Sequence, residues 1–370
     1  MARLGLGNNW KCVFANDIDR QKATCYQENF ESAPELKVAD ICSLSLSDLP
    51  GRADLAWASF PCQDLSLAGN GRGLRGERSG LFWEFWRLIQ GLRSEGRAPR
   101  LIVLENVYGT ITSHKGRDLA AICAALCAEE YRFAPLVIDA AHFLPQSRPR
   151  LFIVAFQNDI NPPSEMVCAG PQTPWHPEAF GISYDLLDEH ARRAWTWLKL
   201  PKPATRSRKL IDLIESEPRG VVWHSVFETR RLLSMMSPIN MQKVRAAQRM
   251  GRGIVGTIYK RTRVDSEGRR AQRAEVRFDD IAGCLRTPSG GSSRQIILLV
   301  KGNTIRSRLL SPREAARLMG IPDSYTLPQR YNDAYHLAGD GVAVPVVRYL
   351  SDNLLEPSLR KIGSQSGFAA

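Results

Sequence analysis

The sequence predicts an α/β fold with a mostly parallel sheet in its first part, and two observations carry this prediction. Over the first ~155 residues, short apolar runs alternate with amphipathic ones, the pattern of repeated strand–helix units. Polar residues follow the ends of successive apolar runs, as they do where the strands of an open parallel sheet form a binding crevice. With 370 residues, the chain is long enough for two domains with separate cores.

Six apolar runs are predicted as strands, at residues 12–15, 36–39, 54–58, 101–104, 136–138 and 151–155. Residues 79–92 are predicted as a helix, with Ser79 as its N-cap, because the apolar residues of this segment fall on one stripe. That stripe consists of Leu81, Phe82, Phe85, Leu88, Ile89 and Leu92.

The pattern becomes irregular between residues 161 and 300, with prolines early and basic residues late. Between Lys243 and Arg277, eleven Lys and Arg face three acids, which supplies most of the net charge of +12. Glycines and apolar residues interleave with these charges, which favours an ordered surface over a disordered tail. After Leu309, the series Ser311-Pro312-Arg313-Glu314 predicts a capped helix start. Residues 341–350 predict a turn that leads into a buried helix.

The basic composition, with a pI near 9.5, indicates a polyanionic partner, most often nucleic acid. A merely basic globular protein is the alternative. The eight cysteines form no C-x-x-C pair and the six histidines are scattered, so no metal site is predicted. No segment resembles a signal peptide or a membrane span. We therefore expect a cytoplasmic protein with free thiols and no membrane partner.

Four polar residues follow four successive predicted strands: Asp17, Asp40, Cys62 and Glu105. Any one acid alone would be explained as a helix cap or a turn residue, but four at strand ends predict a ligand crevice. Cys62 also precedes a loop rich in glycine and arginine. This placement suggests a thiolate that attacks a polyanionic substrate, and an inert buried thiol is the alternative.

These segments and several later ones resemble, in the same order, those of bacterial and phage DNA (cytosine-5)-methyltransferases. The resemblance spans nearly the whole chain. It rests on Asn16-Asp17-Ile18-Asp19, Asp40-Ile41, Phe60-Pro61-Cys62-Gln63, Glu105-Asn106-Val107, Gln146-Ser147-Arg148-Pro149-Arg150, the stretch of residues 308–323, and Gly339-Asp340-Gly341-Val342-Ala343-Val344-Pro345.

The resemblance implies a Rossmann-like S-adenosylmethionine-dependent methyltransferase sheet with a smaller, irregular, β-containing target-recognition domain. It places the catalytic and cofactor-binding domain at residues 1–160 and the DNA-binding domain at 161–325. Residues 326–370 would return to the catalytic domain. It also implies S-adenosyl-L-methionine as cofactor, double-stranded DNA as partner, a monomer, and a nucleoid-associated bacterial or phage protein. A restriction–modification, orphan or prophage role, and a cognate restriction endonuclease, are left open.

The catalytic roles come from the same resemblance. Cys62 would add to C6 of a flipped-out cytosine, and Glu105 would assist at N3. Arg150, with Arg148 as a second candidate, would hold the O2 edge.

For the cofactor, Asp17 would bind the ribose hydroxyls, Asp40 the adenine amine, and Ile18 would pack on the adenine ring. Further residues expected to line this pocket are Pro61, Gly80, Leu81, Asp340 and Val342. Asp340 stands where the family usually has Asn, and we expect this change to be tolerated.

The DNA contacts are expected in two regions. Residues 69–80 would form a lid in which Arg72, Arg75 and Arg78 meet phosphates, with an ordinary flexible connection as the alternative. In the recognition domain, we expect contacts from Lys260, Arg261, Arg263 and Arg294.

The family begins with a strand and a glycine-rich turn, and neither precedes residues 1–7, which predict the helix that follows that turn. We therefore expect two neighbouring strands to expose unpaired backbone, and the 370-residue chain to bind cofactor poorly or to be unstable. Two other functions remain open. One is a tRNA cytosine-5 methyltransferase, which the large basic middle region disfavours. The other is a truncated, catalytically weak DNA-binding remnant.

Overall fold

The computed structural model of the protein describes residues 1–31, 33–60, 80–264, 268–286, 294–360 and 368–370. The chain divides into two units. The first unit comprises Ala2–Asp139, Pro149–Pro203 and Val346–Ala370, and the second comprises Met1, Ala140–Arg148 and Ala204–Pro345. The three-part division at residues 160 and 325 stays a prediction.

The first unit begins with a helix, as the sequence predicts, and then forms short strands. They are α1 (Ala2–Leu6), β1 (Trp10–Lys11), β2 (Ala15–Asp17), α2 (Arg20–Asn29) and β3 (Leu36–Val38). β2 and β3 pair in parallel. The strand predicted at residues 12–15 is thus interrupted, because the backbone changes partner there: the N–H of Val13 donates to Ala370, and that of Ala15 to Glu35.

A four-stranded sheet forms the centre of the first unit. Its strands are β4 (Leu55–Ser59), β5 (Leu101–Val107), β6 (Tyr131–Asp139) and β7 (Pro149–Gln157), in the spatial order β4-β5-β7-β6. β4 and β5 are parallel, but β7 is antiparallel to both of its neighbours. β6 thus runs in the same direction as β4 and β5, and the predicted mostly parallel sheet is confirmed except at β7. β6 and β7 are too close in sequence for a parallel crossover, so this one strand is reversed.

Helices and two short strands complete the first unit. They are α3 (Leu81–Ser94), α4 (Arg117–Ala128), β8 (Val167–Cys168), α5 (Phe180–Asp185), α6 (Glu189–Ala194) and β9 (Trp197–Leu198). In α3, Trp83 and Trp86 join Phe82 and Ile89 in the core, whereas Leu81 is only partly buried. The predicted stripe is therefore rotated, since the large indole rings gain most from burial. The predicted cap, Ser79, lies outside the described residues, and Gly80 occupies the N-cap.

The second unit contains an antiparallel sheet of four strands and four helices. The elements are α7 (Val226–Ser234), α8 (Pro238–Arg249), β10 (Ile254–Val264), β11 (Arg270–Arg277), β12 (Ile296–Lys301), β13 (Thr304–Leu309), α9 (Pro312–Leu318) and α10 (Tyr331–Asp340). The strand order is β11-β10-β12-β13. The core of this unit lies between the sheet and residues of α7 and α8, such as Leu232 and Val244. Within the region predicted as irregular, the described residues therefore form the regular strands β10 and β11 and the start of β12.

Three elements follow, α11 (Val344–Leu350), α12 (Glu356–Arg360) and β14 (Phe368–Ala369). α11 confirms the helix predicted after residue 341. β14 pairs in parallel with β1. On its other side, the carbonyl of Ala369 accepts from the N–H of Asp54, directly before β4. The expectation of unpaired backbone is therefore wrong for β1, which pairs with β14, and on the side of β4 the bond from Asp54 covers only the residue that precedes the strand.

Candidate active site

Two charged side chains meet on one face of the first unit's sheet. Glu105 of β5 and Arg150 of β7 are diagonal neighbours, since Val107 is the residue directly opposite Arg150. The Arg150 Nε lies 3.4 Å from a carboxylate oxygen of Glu105, and both side chains are largely buried. Because little water reaches the pair, its charges act strongly on any group placed beside them. The structure thus brings together two of the four predicted catalytic residues.

Asn106 fixes the segment that leads to the predicted nucleophile. Its side-chain amide donates to the carbonyl oxygen of Phe60 at 3.0 Å, and its own oxygen accepts from the N–H of Val107 and the hydroxyl of Thr110. On the neighbouring strand, Ser59 is directly opposite Glu105. Cys62 and Pro61 lie outside the described residues. Their attachment point, Phe60, is nevertheless held beside the Glu105–Arg150 pair.

Arg148 is placed differently from Arg150. It belongs to the second unit and is buried, and its guanidinium donates to the backbone carbonyls of Leu285, Gly339 and Gly341 at 2.6–3.1 Å. These bonds fix the turn that follows α10. Its predicted contact with the base stays a prediction.

Asp17, Ile18 and Asp40 lie at the ends of the parallel strands β2 and β3. Asp17 accepts from the N–H of Asp19 at 2.8 Å, and Asp40 accepts from the N–H of Cys42 at 2.9 Å. This backbone N–H holds the pKa of Asp40 below its usual range. Ile18 is 66% exposed. Two carboxylates and an uncovered aliphatic side chain therefore share one edge of the sheet.

Asn16 keeps the two strand ends together. Its side-chain amide donates to the carbonyls of Lys37 and Ala39 at 3.0 and 2.9 Å. The spacing of Asp17 and Asp40 is thus fixed by a side-chain bond that sequence reasoning missed. The only sequence signal for this bond is an Asn directly before an acid at the end of a predicted strand.

The remaining predicted cofactor residues fall into both units. Gly80, with φ at 136°, and Leu81 form the start of α3 in the first unit. The glycine is required there because other residues rarely adopt such a φ. Asp340, the last residue of α10, and buried Val342 belong to the second unit.

The β10–β11 hairpin carries the predicted DNA-binding residues on opposite faces. Arg261 and Arg263 both pair with Glu275 on the outer face. Lys260 is opposite Ala274, a core residue, and therefore points to the other face. Lys260 therefore lies on the opposite face from Arg261 and Arg263, and the DNA contacts of all three stay predictions.

Arg273 was not singled out from the sequence, yet it lies directly opposite Arg261 in the hairpin. Like charges opposite each other destabilise a sheet, so this pair indicates a surface suited to an anion. An open pocket of about 280 Å³ lies beside Arg273 and Arg263. It is also lined by Ser237, the N-cap of α8, and by Asn240 of α8. Side chains of a strand alternate between its two faces, and this alternation along β11 is the sequence signal that could have identified Arg273.

The other predicted contacts are distributed as follows. Arg294 donates to Asn332 at 2.5 Å and stacks over the ring of Tyr331. Arg72, Arg75 and Arg78 lie outside the described residues. Among the residues that the structure does describe, no cluster of His, Cys, Asp or Glu could hold a metal ion. Nor is any described helix long and apolar enough to cross a membrane.

A sheet with carboxylates at the ends of its parallel strands and a reversed β7 is the Rossmann-like fold of S-adenosylmethionine-dependent methyltransferases. The solved structure of the Dnmt2 methyltransferase from S. pombe shares this fold, with a TM-score of 0.52 and 19% identity over 94% of this chain and 91% of that one.

The chain belongs to the C-5 cytosine-specific DNA methylases, whose family description matches residues 2–356. It is 29% identical to the type II methyltransferase M.DsaV of Dactylococcopsis salina, over 93% of this chain and 80% of that protein. It is 25% identical to M.HhaI of Haemophilus parahaemolyticus, over 93% and 87%. The prediction of a cytosine-5 methyltransferase is confirmed.

Proposed function

We propose that the chain is a site-specific DNA (cytosine-5)-methyltransferase with Cys62 as nucleophile. The observation that carries this proposal is the Glu105–Arg150 pair, located where the backbone of Phe60 leads into Pro61 and Cys62. An acid and a guanidinium beside the segment that leads to a cysteine in the sequence match the needs of a cytosine ring under attack.

The reaction needs a proton at N3 and a cation at O2. When the Cys62 thiolate forms a bond to C6, electrons of the C5–C6 double bond move toward the N3–O2 side of the ring. Glu105 donates a proton to N3, and Arg150 stabilises the charge at O2. The ring thereby becomes an enamine that is nucleophilic at C5. Loss of the C5 proton to a base then expels Cys62 as a thiolate.

The strand-end residues of β2 and β3 fit S-adenosylmethionine, which when bound supplies the methyl group. Asp17 offers carboxylate oxygens to ribose hydroxyls, and Asp40 an acceptor to the adenine amine. The exposed side chain of Ile18 gives the adenine ring an apolar surface.

The partner is duplex DNA, because the outer face of the β10–β11 hairpin is basic and regular. Arg261, Arg263 and Arg273 present three guanidinium groups, with Glu275 as the single acid between them. Guanidinium groups contact phosphates and guanine edges in a duplex. The cytosine must leave the stack to reach Cys62, at a cost of a few kcal/mol.

Bisulfite sequencing of DNA from a host that expresses the chain tests this function. We expect methylation at one short sequence, lost in Cys62→Ser and retained in Cys42→Ser, a control at an exposed thiol. Glu105→Gln should keep the fold and lower the methylation rate about 10²–10⁴-fold, because the proton donor is lost.

Three results would contradict the proposal. Methylated tRNA with unmethylated DNA would indicate the tRNA enzyme. DNA binding without methylation would indicate a DNA-binding remnant. Full activity in Cys62→Ser would remove the nucleophile from the mechanism.

A further inference from the structure

Ala369, the last residue of β14, and Ala370, which follows it, form hydrogen bonds on opposite sides. The N–H of Ala370 donates to the carbonyl of Lys11 at 2.8 Å, and its carbonyl accepts from the N–H of Val13 at 2.6 Å. Ala369 points the other way: its carbonyl accepts from the N–H of Asp54 at 2.9 Å. Backbone bonds on both sides are the mark of an interior strand, since an edge strand leaves one side unpaired.

Asp54 binds β14 through a second bond. Its carboxylate accepts from the N–H of Ala369 at 2.9 Å, and its other oxygen lies 3.1 Å from Arg100. Asp54 therefore holds both backbone groups of Ala369, and its side chain is itself fixed by a cation. A charge-assisted pair of this kind is stronger than two neutral bonds and places β14 in one register.

β14 runs parallel to β1, so its carboxyl end lies at the sheet edge on which Asp17 and Asp40 lie. This is the edge at which open parallel sheets bind nucleotides. Ala370 is thus located between β1, which leads to Asp17, and the start of β4, which leads to Phe60.

We propose that residues 368–370 form the interior strand of the cofactor-binding sheet, held by Asp54, and that this strand positions the wall on which S-adenosylmethionine binds. The cofactor half of this inference rests on the proposed function. A segment at the far end of the sequence then joins β1 to β4. The activity should depend on the backbone N–H and carbonyl groups of Ala369 and Ala370 and not on their side chains.

Amide hydrogen exchange of the full chain, measured without cofactor, tests the strand. We expect the N–H groups of Val13 and Asp54 to be protected. Ala370→Pro removes the donor to Lys11, and Ala369→Pro removes the donor to Asp54. In these variants the two amides should exchange at least about tenfold faster, because the strand opens locally. Ala370→Ser keeps every backbone donor and should match the parent chain.

Calorimetric titration with S-adenosylmethionine tests the functional half. Ala370→Pro and Asp54→Ala should bind at least about tenfold more weakly than Ala370→Ser. Protection of the β10 amides in the second unit serves as the folding control, since it should be unchanged. A variant that loses this protection as well is globally unfolded, and the comparison then rests on Asp54→Ala, which leaves residues 368–370 intact.

The possible results separate the two proposals. Rapid exchange of Val13 and Asp54 in the parent chain would overturn the interior strand. Unchanged cofactor affinity in the proline variants would overturn its positioning role. If the parent chain binds no S-adenosylmethionine yet shows the expected exchange pattern, the proposed function and the cofactor half fail, and the interior strand is supported.

Discussion

The side-chain amide of Asn106 donates to the carbonyl oxygen of Phe60, the residue two positions before Cys62. Asn106 lies on β5 directly after Glu105, so one strand provides both the acid and the bond that holds the neighbouring strand's end. A shift of that end would move the predicted nucleophile relative to the acid, and small displacements of reacting groups are costly.

Asn106→Asp should lower the rate of methyl transfer by about 10–100-fold, because a carboxylate oxygen would face the Phe60 carbonyl and repel it. Cofactor affinity should change little, since Asp17 and Asp40 lie on other strands. Single-turnover assays with a radiolabelled methyl donor at several concentrations measure both the rate of methyl transfer and the cofactor affinity. Thr110→Val is the matched control, as it removes only the hydroxyl that donates to Asn106. Equal losses in the two variants would show that Phe60 is not the relevant partner.

Arg308 and Glu314 form a fully buried ion pair in the second unit, with nitrogen–oxygen distances of 2.7 and 2.5 Å. Glu314 also accepts from the N–H groups of Ser311 and Glu215. Glu314→Ala should destabilise this unit by about 3–5 kcal/mol, because Arg308 keeps a buried charge without its partner. Urea unfolding, monitored by hydrogen exchange of the β12 amides, measures this loss of stability.

The control for this prediction is Glu228→Ala. Glu228 occupies the same position of an exposed capping box, with Ser225 as its partner. Without burial, the change should cost only about 1 kcal/mol. Similar costs for Glu314→Ala and Glu228→Ala would mean that burial of the ion pair contributes nothing.

His176 should make the first unit less stable in mild acid. Burial lowers its pKa to about 4, while its Nδ1 accepts from the N–H of Gln172. The unfolded chain, with a pKa near 6.5, binds a proton that the folded chain does not. The contribution of His176 to stability is therefore complete above about pH 6.5 and falls by about 3 kcal/mol as the pH drops to 4.

Urea unfolding at several pH values between 7 and 4 measures this dependence. His176→Asn retains an acceptor for Gln172 but does not titrate, so its stability should vary less across the same range. If the unfolding free energies of the parent chain and the variant change with pH in parallel, His176 is not the cause of the pH dependence.

Arg273→Ala should weaken DNA binding and reduce the salt slope, d log K/d log[salt], by about 0.9, the contribution of one phosphate contact. Lys260→Ala removes the same charge from the opposite face of the hairpin and should change the slope less. Fluorescence anisotropy at several salt concentrations measures both. Equal slopes in the two variants would show that net charge, not the outer face, attracts DNA.

Local sequence signals predicted local features well. The predicted capping box of Ser311 and Glu314 is confirmed. It could be predicted because both partners of each of its hydrogen bonds lie within four consecutive residues. Asp17 ends β2 and Asp40 follows β3 as predicted, since apolar runs locate strands without knowledge of their neighbours. Glu105 instead lies inside β5, which continues to Val107.

Features set by distant partners were missed or mistaken. β14 has two residues, and its partner Asp54 is 315 positions away in the sequence. The same limit applies to Lys260, whose face depends on pairing with β11, and to Arg148, whose carbonyl partners come from Leu285, Gly339 and Gly341.

The long separation between β14 and Asp54 has a consequence for synthesis in the cell. Lys11, Val13 and Asp54 leave the ribosome long before Ala369 is made, so the backbone that β14 covers stays open during nearly the whole of translation. Nascent chains with unpaired strand edges associate with one another and with chaperones. Slow translation of the region between the two partners would therefore lengthen the period in which this protein can aggregate, even though its finished sheet exposes no such edge at β14.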